Sequence, residues 1–324
     1  MATYKGIQGY TVQKLSEDPT ASEVAGQLWY NSSSGKFRIS TEGAGTWAAG
    51  GTVNTARKFG GGAGASNSSA IIFGGNPPAI TNTESYNGAT WTEVNDMNSG
   101  SYYITGTGTQ TAALITGGNR VGGVGNYSAL NEIWDGTSWS EENNMVVGRN
   151  GPANIGTSTA ALATGGYNPP ITYTTHAESW NGTSWTEGNN LLYGGYGSGS
   201  AGTQTSALVF GGENPSQPAP QQNTQEWNGT SWTESGDMAN TRSWIQTGGT
   251  QTAAITAGGQ PSTVNTETYD GTSWTETSNL TTARSYTEGK LGSSASALQA
   301  TGDGTSATEE WTDPVYTIKA VTVS

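Results

Sequence analysis

Short apolar runs ending in glycine return at a nearly constant interval through residues 44–312. They are Ala70-Ile-Ile-Phe-Gly-Gly75, Ala112-Ala-Leu-Ile-Thr-Gly-Gly118, Ala160-Ala-Leu-Ala-Thr-Gly-Gly166, Ser206-Ala-Leu-Val-Phe-Gly-Gly212 and Ala253-Ala-Ile-Thr-Ala-Gly-Gly259, with an eroded sixth copy, Ala297-Leu-Gln-Ala-Thr-Gly302. Runs this short, bounded by Gly, Ser, Thr and Asn, predict buried β-strands. Each of the first five is followed by a phrase in which an aromatic residue precedes a Trp by five positions: Glu84-Ser-Tyr-Asn-Gly-Ala-Thr-Trp91, Asn131-Glu-Ile-Trp-Asp-Gly-Thr-Ser-Trp139, Glu178-Ser-Trp-Asn-Gly-Thr-Ser-Trp185, Gln225-Glu-Trp-Asn-Gly-Thr-Ser-Trp232 and Glu267-Thr-Tyr-Asp-Gly-Thr-Ser-Trp274. The Asn-Gly or Asp-Gly pair predicts a β-hairpin closed by a type I′ turn, which needs positive φ at both central residues. Gly/Ser/Thr-rich segments ahead of the apolar runs, such as Gly106-Thr-Gly-Thr-Gln-Thr111, suit an innermost strand where side chains must be small.

The period fixes the expected architecture. Trp91, Trp139, Trp185, Trp232 and Trp274 lie 48, 46, 47 and 42 positions apart, in the range of one four-stranded propeller blade. The expectation is an all-β fold: a six-bladed β-propeller of four-stranded antiparallel blades over residues 44–312, with first strands near 57–62, 101–107, 149–156, 195–202, 242–249 and 284–291. The sixth repeat reaches Glu309-Glu-Trp311 and then Pro314, which cannot donate to a ladder. Trp47, in Gly45-Thr-Trp-Ala-Ala49, is therefore expected to supply the outer strand of the last blade. The alternating tail Val315–Val323 is the rival closing strand, or a partner for an N-terminal hairpin expected within residues 1–43, around Asn31 to Gly35.

A strand ending in Gly-Gly, then an aromatic, then a Trp resembles the kelch motif of β-propellers over roughly residues 44–312; the uniform five-residue gap marks a variant. The hairpin Gly26-Gln-Leu-Trp-Tyr-Asn-Ser-Ser-Ser-Gly-Lys-Phe-Arg-Ile39 resembles short hairpins of structural proteins in tailed bacteriophages, particularly those of marine cyanobacteria. This second resemblance implies a virion protein assembled in the host cytoplasm, tail- or capsid-associated, joined to other virion proteins through residues 1–43. Kelch-like propellers include copper radical oxidases, whose site needs a cysteine-linked tyrosine and two histidines. This chain has no Cys and one His, so that activity is not expected.

Composition narrows the chemistry further. Twelve Trp and 49 Gly with only 32% hydrophobic residues suit sheets held together by large aromatics, and a net charge of −13 disfavours a nucleic-acid partner. No apolar run is long enough to span a bilayer, and Met1-Ala-Thr-Tyr-Lys5 begins no secretory signal. Gly60-Gly-Gly-Ala-Gly64 lacks the lysine and helix of a phosphate loop. No cofactor and no metal site are expected, and no enzyme; a homo-oligomer is compatible.

Glu84, Glu132, Glu178, Glu267 and Glu309 recur, with Gln225 in the remaining repeat, and Arg57, Arg149, Arg242 and Arg284 recur less fully; once-per-repeat carboxylates point to structural pairing rather than acid–base chemistry. From the second Gly to the aromatic of the third strand of each repeat (Tyr86, Trp134, Trp180, Trp227, Tyr269 and Trp311) the separations are 11, 16, 14, 15, 10 and 9, while the hairpin turn keeps its length. Variation confined to one loop class marks one diversified face, suited to a host-surface glycan or protein. Its candidate binding residues are Asn76, Pro77, Asn119, Arg120, Tyr127, Tyr167, Asn168, Tyr173, His176, Glu213, Asn214 and Gln221, above the structural tryptophans Trp47, Trp91, Trp139, Trp185, Trp232 and Trp274. His176 as a catalytic base lacks a visible orienting acid. A lectin outside any virion and a polysaccharide-acting enzyme are the alternatives, the latter requiring Asp96, Glu141, Glu142, Glu213 and Asp237 to converge in space.

Overall fold

Glycine, threonine and β-branched residues dominate the strands, and no helix occurs among the described residues. The computed structural model describes residues 12–21, 24, 26–43, 45–76, 78–120, 127–169, 172–214, 221–287, 290–313 and 316–321. Two compact units divide the chain: residues 1–45 with 313–324, and residues 46–312.

In the smaller unit one sheet runs in the order Gln13–Leu15, Leu28–Asn31, Lys36–Glu42, Tyr316–Ala320. Leu28–Asn31 and Lys36–Glu42 form an antiparallel hairpin, and the tail strand adds to its open side, Ile39 facing Lys319. Asp18 gathers this unit together, accepting from Trp29 Nε1 at 3.1 Å and Asn31 Nδ2 at 2.7 Å, with Arg38 at 3.6 Å. The Asn31 bond, ahead of Trp29 and Arg38, holds its carboxyl below the usual range.

The larger unit repeats one course of strands. The second repeat is representative: Thr105–Thr109, Ala112–Thr116, Asn131–Trp134 and Trp139–Glu142 form a four-stranded antiparallel sheet in chain order. The third and fourth repeats do the same. The first and fifth are bridged into one nine-stranded sheet by Lys290–Leu291, which pairs in parallel with Ala63, Gly64 and Thr247. The last sheet, Ser296–Ala300 and Thr308–Thr312, takes Thr46–Ala49 as its outer strand, with Trp47 opposite Trp311. Small antiparallel sheets repeated in this way are compatible with a β-propeller.

Successive residues of a strand face opposite sides, so each middle strand serves two neighbours. Ile71 and Phe73 pack with Ile104, Ile115 and Trp139 of the second repeat, whereas Ala70 and Ile72 pack with Leu298 and Ala300 of the sixth. The hairpin tryptophans tie the sheets: Trp139 Nε1 donates to Thr83 Oγ1 at 3.1 Å, Trp91 to Thr308 at 3.2 Å, Trp274 to Thr224 at 2.9 Å and Trp47 to Thr266 at 3.0 Å. For Trp185 of the third repeat the acceptor position, in the second, holds Asn131, and both Trp185 Nε1 and Asn131 Oδ1 are buried without a partner. Trp232 turns instead to the carbonyl of Asn189.

Two expectations are corrected. The hairpin turns are not type I′: only the glycine has positive φ, as at Gly88 and Gly136, while Asn87 and Asp135 do not. A four-residue loop results because the first side chain caps it, Asp135 Oδ1 accepting from Thr137 N at 2.7 Å and Ser138 N at 2.8 Å. Those amides, Ser138 first, lower the Asp135 carboxyl. The inner strands also begin later than expected, at Gly61, Thr105, Ala153, Gly199, Gln246 and Lys290. The residues just ahead of them are diverted from the extended conformation, and that diversion builds the site.

Candidate functional site

A carboxylate anchors the approach to the inner strand in five repeats, and an amide does so in the fourth. Glu84 is fully buried; it meets Arg57 at 2.5 Å and accepts from Asn54 N at 2.7 Å and Thr55 N at 3.0 Å. Arg149 with Glu178 at 2.7 Å, Arg242 with Glu267, and Arg284 with Glu309 at 3.0 Å repeat the pair. Burial pulls these last three guanidinium groups down while the paired glutamate opposes it. A buried carboxylate demands a counter-charge, and the two exceptions obey that demand. In the second repeat Ser101 replaces the arginine, and Arg120, paired with Ser101 in a short two-stranded ladder, reaches Glu132 at 3.4 Å. In the fourth, Gly195 replaces the arginine and Gln225 replaces the glutamate, its Oε1 accepting from Leu192 N at 2.7 Å.

From this clamp a hydrogen bond runs to the preceding repeat. The second glycine of each Gly-Gly donates to the carbonyl at the arginine position of the next repeat: Gly75 to Ser101, Gly118 to Arg149, Gly166 to Gly195, Gly212 to Arg242 and Gly259 to Arg284, at 2.7–2.9 Å, with Gly302 to Arg57 at 3.3 Å. Two residues beyond the arginine position the backbone turns left-handed in every repeat: Phe59 (φ 61°), Tyr103 (54°), Gly151 (53°), Gly197 (63°), Trp244 (52°) and Tyr286 (58°). Bulky residues rarely adopt this conformation, and it costs about 1–3 kcal/mol at each.

The strained residues converge. Ring centroids of Phe59 lie 4.4 Å from Tyr103, 4.4 Å from Tyr286 and 5.6 Å from Trp244; Trp244 lies 5.3 Å from Tyr103 and 4.6 Å from Tyr196. Room for Trp244 comes from the two glycines, since a Cβ on Gly151 or Gly197 would sit 2.8 or 2.6 Å from its indole. Tyr167 continues the array 5.8 Å from Tyr196, and Tyr127 follows 5.5 Å from Tyr167. Phe59 and Trp244 are buried, whereas Tyr103, Tyr127, Tyr167, Tyr196 and Tyr286 keep part of their surface in solvent. Trp244 also lines a cavity of about 30 Å3 together with Asn154, Ser198, Thr247 and Thr287, room for water but not for a sugar ring.

Charge biases this mouth. Burial is the main cause raising the Tyr286 phenol, and Glu213 and Asp303 add to it; Tyr103 is likewise raised by burial, with Tyr196 opposing and Glu213 a smaller contributor. Lys58 Nζ stands 5.4 Å over the Phe59 centroid.

The structure brings only some of the sequence-predicted residues here. Tyr127, Tyr167 and Glu213 join the array, the last by backbone bonds to Tyr196 at 2.9 and 3.1 Å. Arg120 is committed to Glu132. His176 Nδ1 lies 3.2 Å from Glu187 Oε1, an acid that sequence reasoning missed, although without hydrogen-bond alignment. Asn214 Nδ2 donates to Gly194 O, Gln221 N to Gly212 O, and Asn76, left-handed at φ 58°, donates its amide to Lys58 O. Asn119 pairs with Tyr102; Asn168 with Thr172, and Tyr167 with Tyr173, by backbone register. Pro77 lies outside the described residues. Asp96 bonds Thr81, Asp237 bonds Gln222, and Glu141 and Glu142 lie along one outer strand; no group of three or more His, Asp or Glu suited to a metal occurs among the described residues. Phe59, Tyr103, Tyr196, Trp244 and Tyr286 were missed. For all but Tyr196, which directly follows Gly195, the signal was an aromatic two positions after the arginine position, diluted by the glycines at 151 and 197.

No family model and no curated protein sequence matches this chain. Among solved structures it is similar to one described as the structure of YjhT, at 14% identity and a TM-score of 0.61, covering 84% of this chain and 99% of that one. Likeness at that identity concerns the fold alone.

Proposed function

We propose that this chain is a non-enzymatic, kelch-like six-bladed β-propeller of a tailed-bacteriophage particle, whose aromatic mouth and surrounding loops recognise a host-surface glycan. The observation that carries recognition is the convergence of four bulky aromatic residues, each in a costly left-handed conformation, with Tyr127 and Tyr167 from the loop class whose length differs between repeats. Six blades are supported by the six glycine-amide bonds, the last of which returns to Arg57, and by Trp91 bonding Thr308. The virion reading rests on the resemblance of the N-terminal hairpin and on the separate unit it forms with the tail strand.

Glycan-array binding by the purified chain, lost in Trp244→Leu, tests recognition; silence on the array refutes it. Mass spectrometry of purified particles tests the virion assignment. Removing residues 1–45 together with 313–324 is expected to yield a soluble remainder that no longer joins the particle, and normal incorporation refutes that attachment. Residues 46–49 must be kept, because they complete the last sheet. The same aromatic mouth also suits a lectin outside a virion, which glycan binding combined with absence from particles would identify.

A further inference from the structure

Resting on that reading, we propose that the mouth selects glycans carrying a free amino group, with a pyranose stacked on the half-exposed tyrosines and its ammonium held between ring faces and the carboxylates of Glu213 and Asp303. Aromatic faces attract cations through their quadrupole. The ring set already hosts one ammonium, Lys58 over Phe59 at 5.4 Å. Glu213 is bonded through its backbone to Tyr196 and Asp303 is bonded to Ser285, the residue before Tyr286; after burial, both carboxylates raise the Tyr286 phenol. Guanidinium charge is consumed elsewhere: Arg57, Arg149, Arg242 and Arg284 are each buried against their own glutamate. Asp303 is fixed in place, its Oδ2 accepting from Ser285 N at 2.9 Å and Ser262 Oγ at 3.2 Å, and its Oδ1 from Ser285 Oγ at 2.5 Å. The formal charge of −13 adds long-range attraction of the same sign. Acetylating the amine removes the charge, and a uronic or sialic acid would meet repulsion.

The test is calorimetric titration of the full chain with glucosamine oligomers, N-acetylglucosamine oligomers of equal length, and oligolysine of equal charge. The amino oligomer is expected to bind roughly 2- to 30-fold more tightly than its acetylated counterpart, the span that one ammonium–aromatic contact supplies. Glu213→Gln should narrow that preference with the melting temperature unchanged, and Trp244→Leu should remove binding of both oligomers. Equal affinity for the acetylated oligomer, an unaltered preference in Glu213→Gln, or oligolysine binding as tightly as the amino oligomer overturns the proposal. Array hits confined to neutral or acidic glycans overturn it while leaving glycan recognition standing; an array with no hits removes both.

Discussion

The buried arginine–glutamate pair of the fifth repeat can be tested against a solution the chain itself contains. Arg242 and Glu267 are fully enclosed; Arg242 Nη1 also donates to Gly258 O at 3.2 Å and Asn265 O at 2.7 Å, and Glu267 Oε2 accepts from Ala239 N at 2.8 Å. Arg242→Gly leaves a carboxylate uncompensated and two carbonyls short of a donor. Breaking a buried pair in this way costs about 3–5 kcal/mol. At roughly 2–4 °C per kcal/mol for a unit of this size, the melting temperature should fall by about 6–20 °C. Adding Glu267→Gln reproduces the Gly195 and Gln225 combination of the fourth repeat, where the amide oxygen accepts from Leu192 N and Tyr193 N and Nε2 donates to Tyr193 O at 3.1 Å. The double variant should therefore regain about 2 kcal/mol or more over Arg242→Gly alone, measured as a coupling energy in urea unfolding followed by tryptophan fluorescence. Strictly additive losses, or an Arg242→Gly loss below about 0.5 kcal/mol, would refute the argument that the carboxylate is what needs the arginine.

Further outcomes follow from single contacts. Asn131→Thr supplies Trp185 with the acceptor that four other repeats provide, and should stabilise by about 1 kcal/mol in chemical denaturation. Tyr286→Gly should be more stable than Tyr286→Ala by about 1 kcal/mol in paired melting curves, because only glycine relaxes at φ 58°. Trp47→Ala loses the Thr266 bond and the packing on Trp311 at 5.5 Å, about 3–5 kcal/mol by equilibrium unfolding. The phenols of Tyr86 and Tyr269 are both pushed up to about 12, by burial first and then by bonding Glu310 and Glu226. An unfolded tyrosine ionises near 10, so the unfolded chain loses protons that the folded one keeps, and stability should fall as pH rises from 10 towards 12. Tyr86→Phe should flatten that fall in alkaline melting curves; an unchanged slope would count against it.

Aromatic periodicity made the repeats legible because a Trp at each hairpin has one job, to seal two sheets, and any residue doing one job in every copy leaves a period. Trp47 could be aligned for the same reason, and its pairing with Trp311 is direct. The turn type was misread since Asn-Gly specifies a left-handed glycine without specifying loop length; the Asx side chain at Asp135 settles that through amides invisible in sequence. The mouth was obscured for a different reason. Its six equivalent positions hold Phe59, Tyr103, Gly151, Gly197, Trp244 and Tyr286, and only in three dimensions do the two glycines become the space that one indole occupies. Loop length pointed to Tyr127, Tyr167 and Glu213, which lie beside the ring array, yet could not separate them from Arg120, which serves its own repeat's carboxylate.

The strand Thr46–Ala49 leaves the ribosome long before Ser296–Ala300 and Thr308–Thr312, the segments that must receive it. Throughout synthesis of the intervening repeats its edge has no mate, and the growing polypeptide must be shielded from pairing with another copy. Nascent chains stalled before residue 312 should accordingly depend on holdase chaperones, and a circular permutant that moves residues 46–49 behind Thr312 should mature with less of that help.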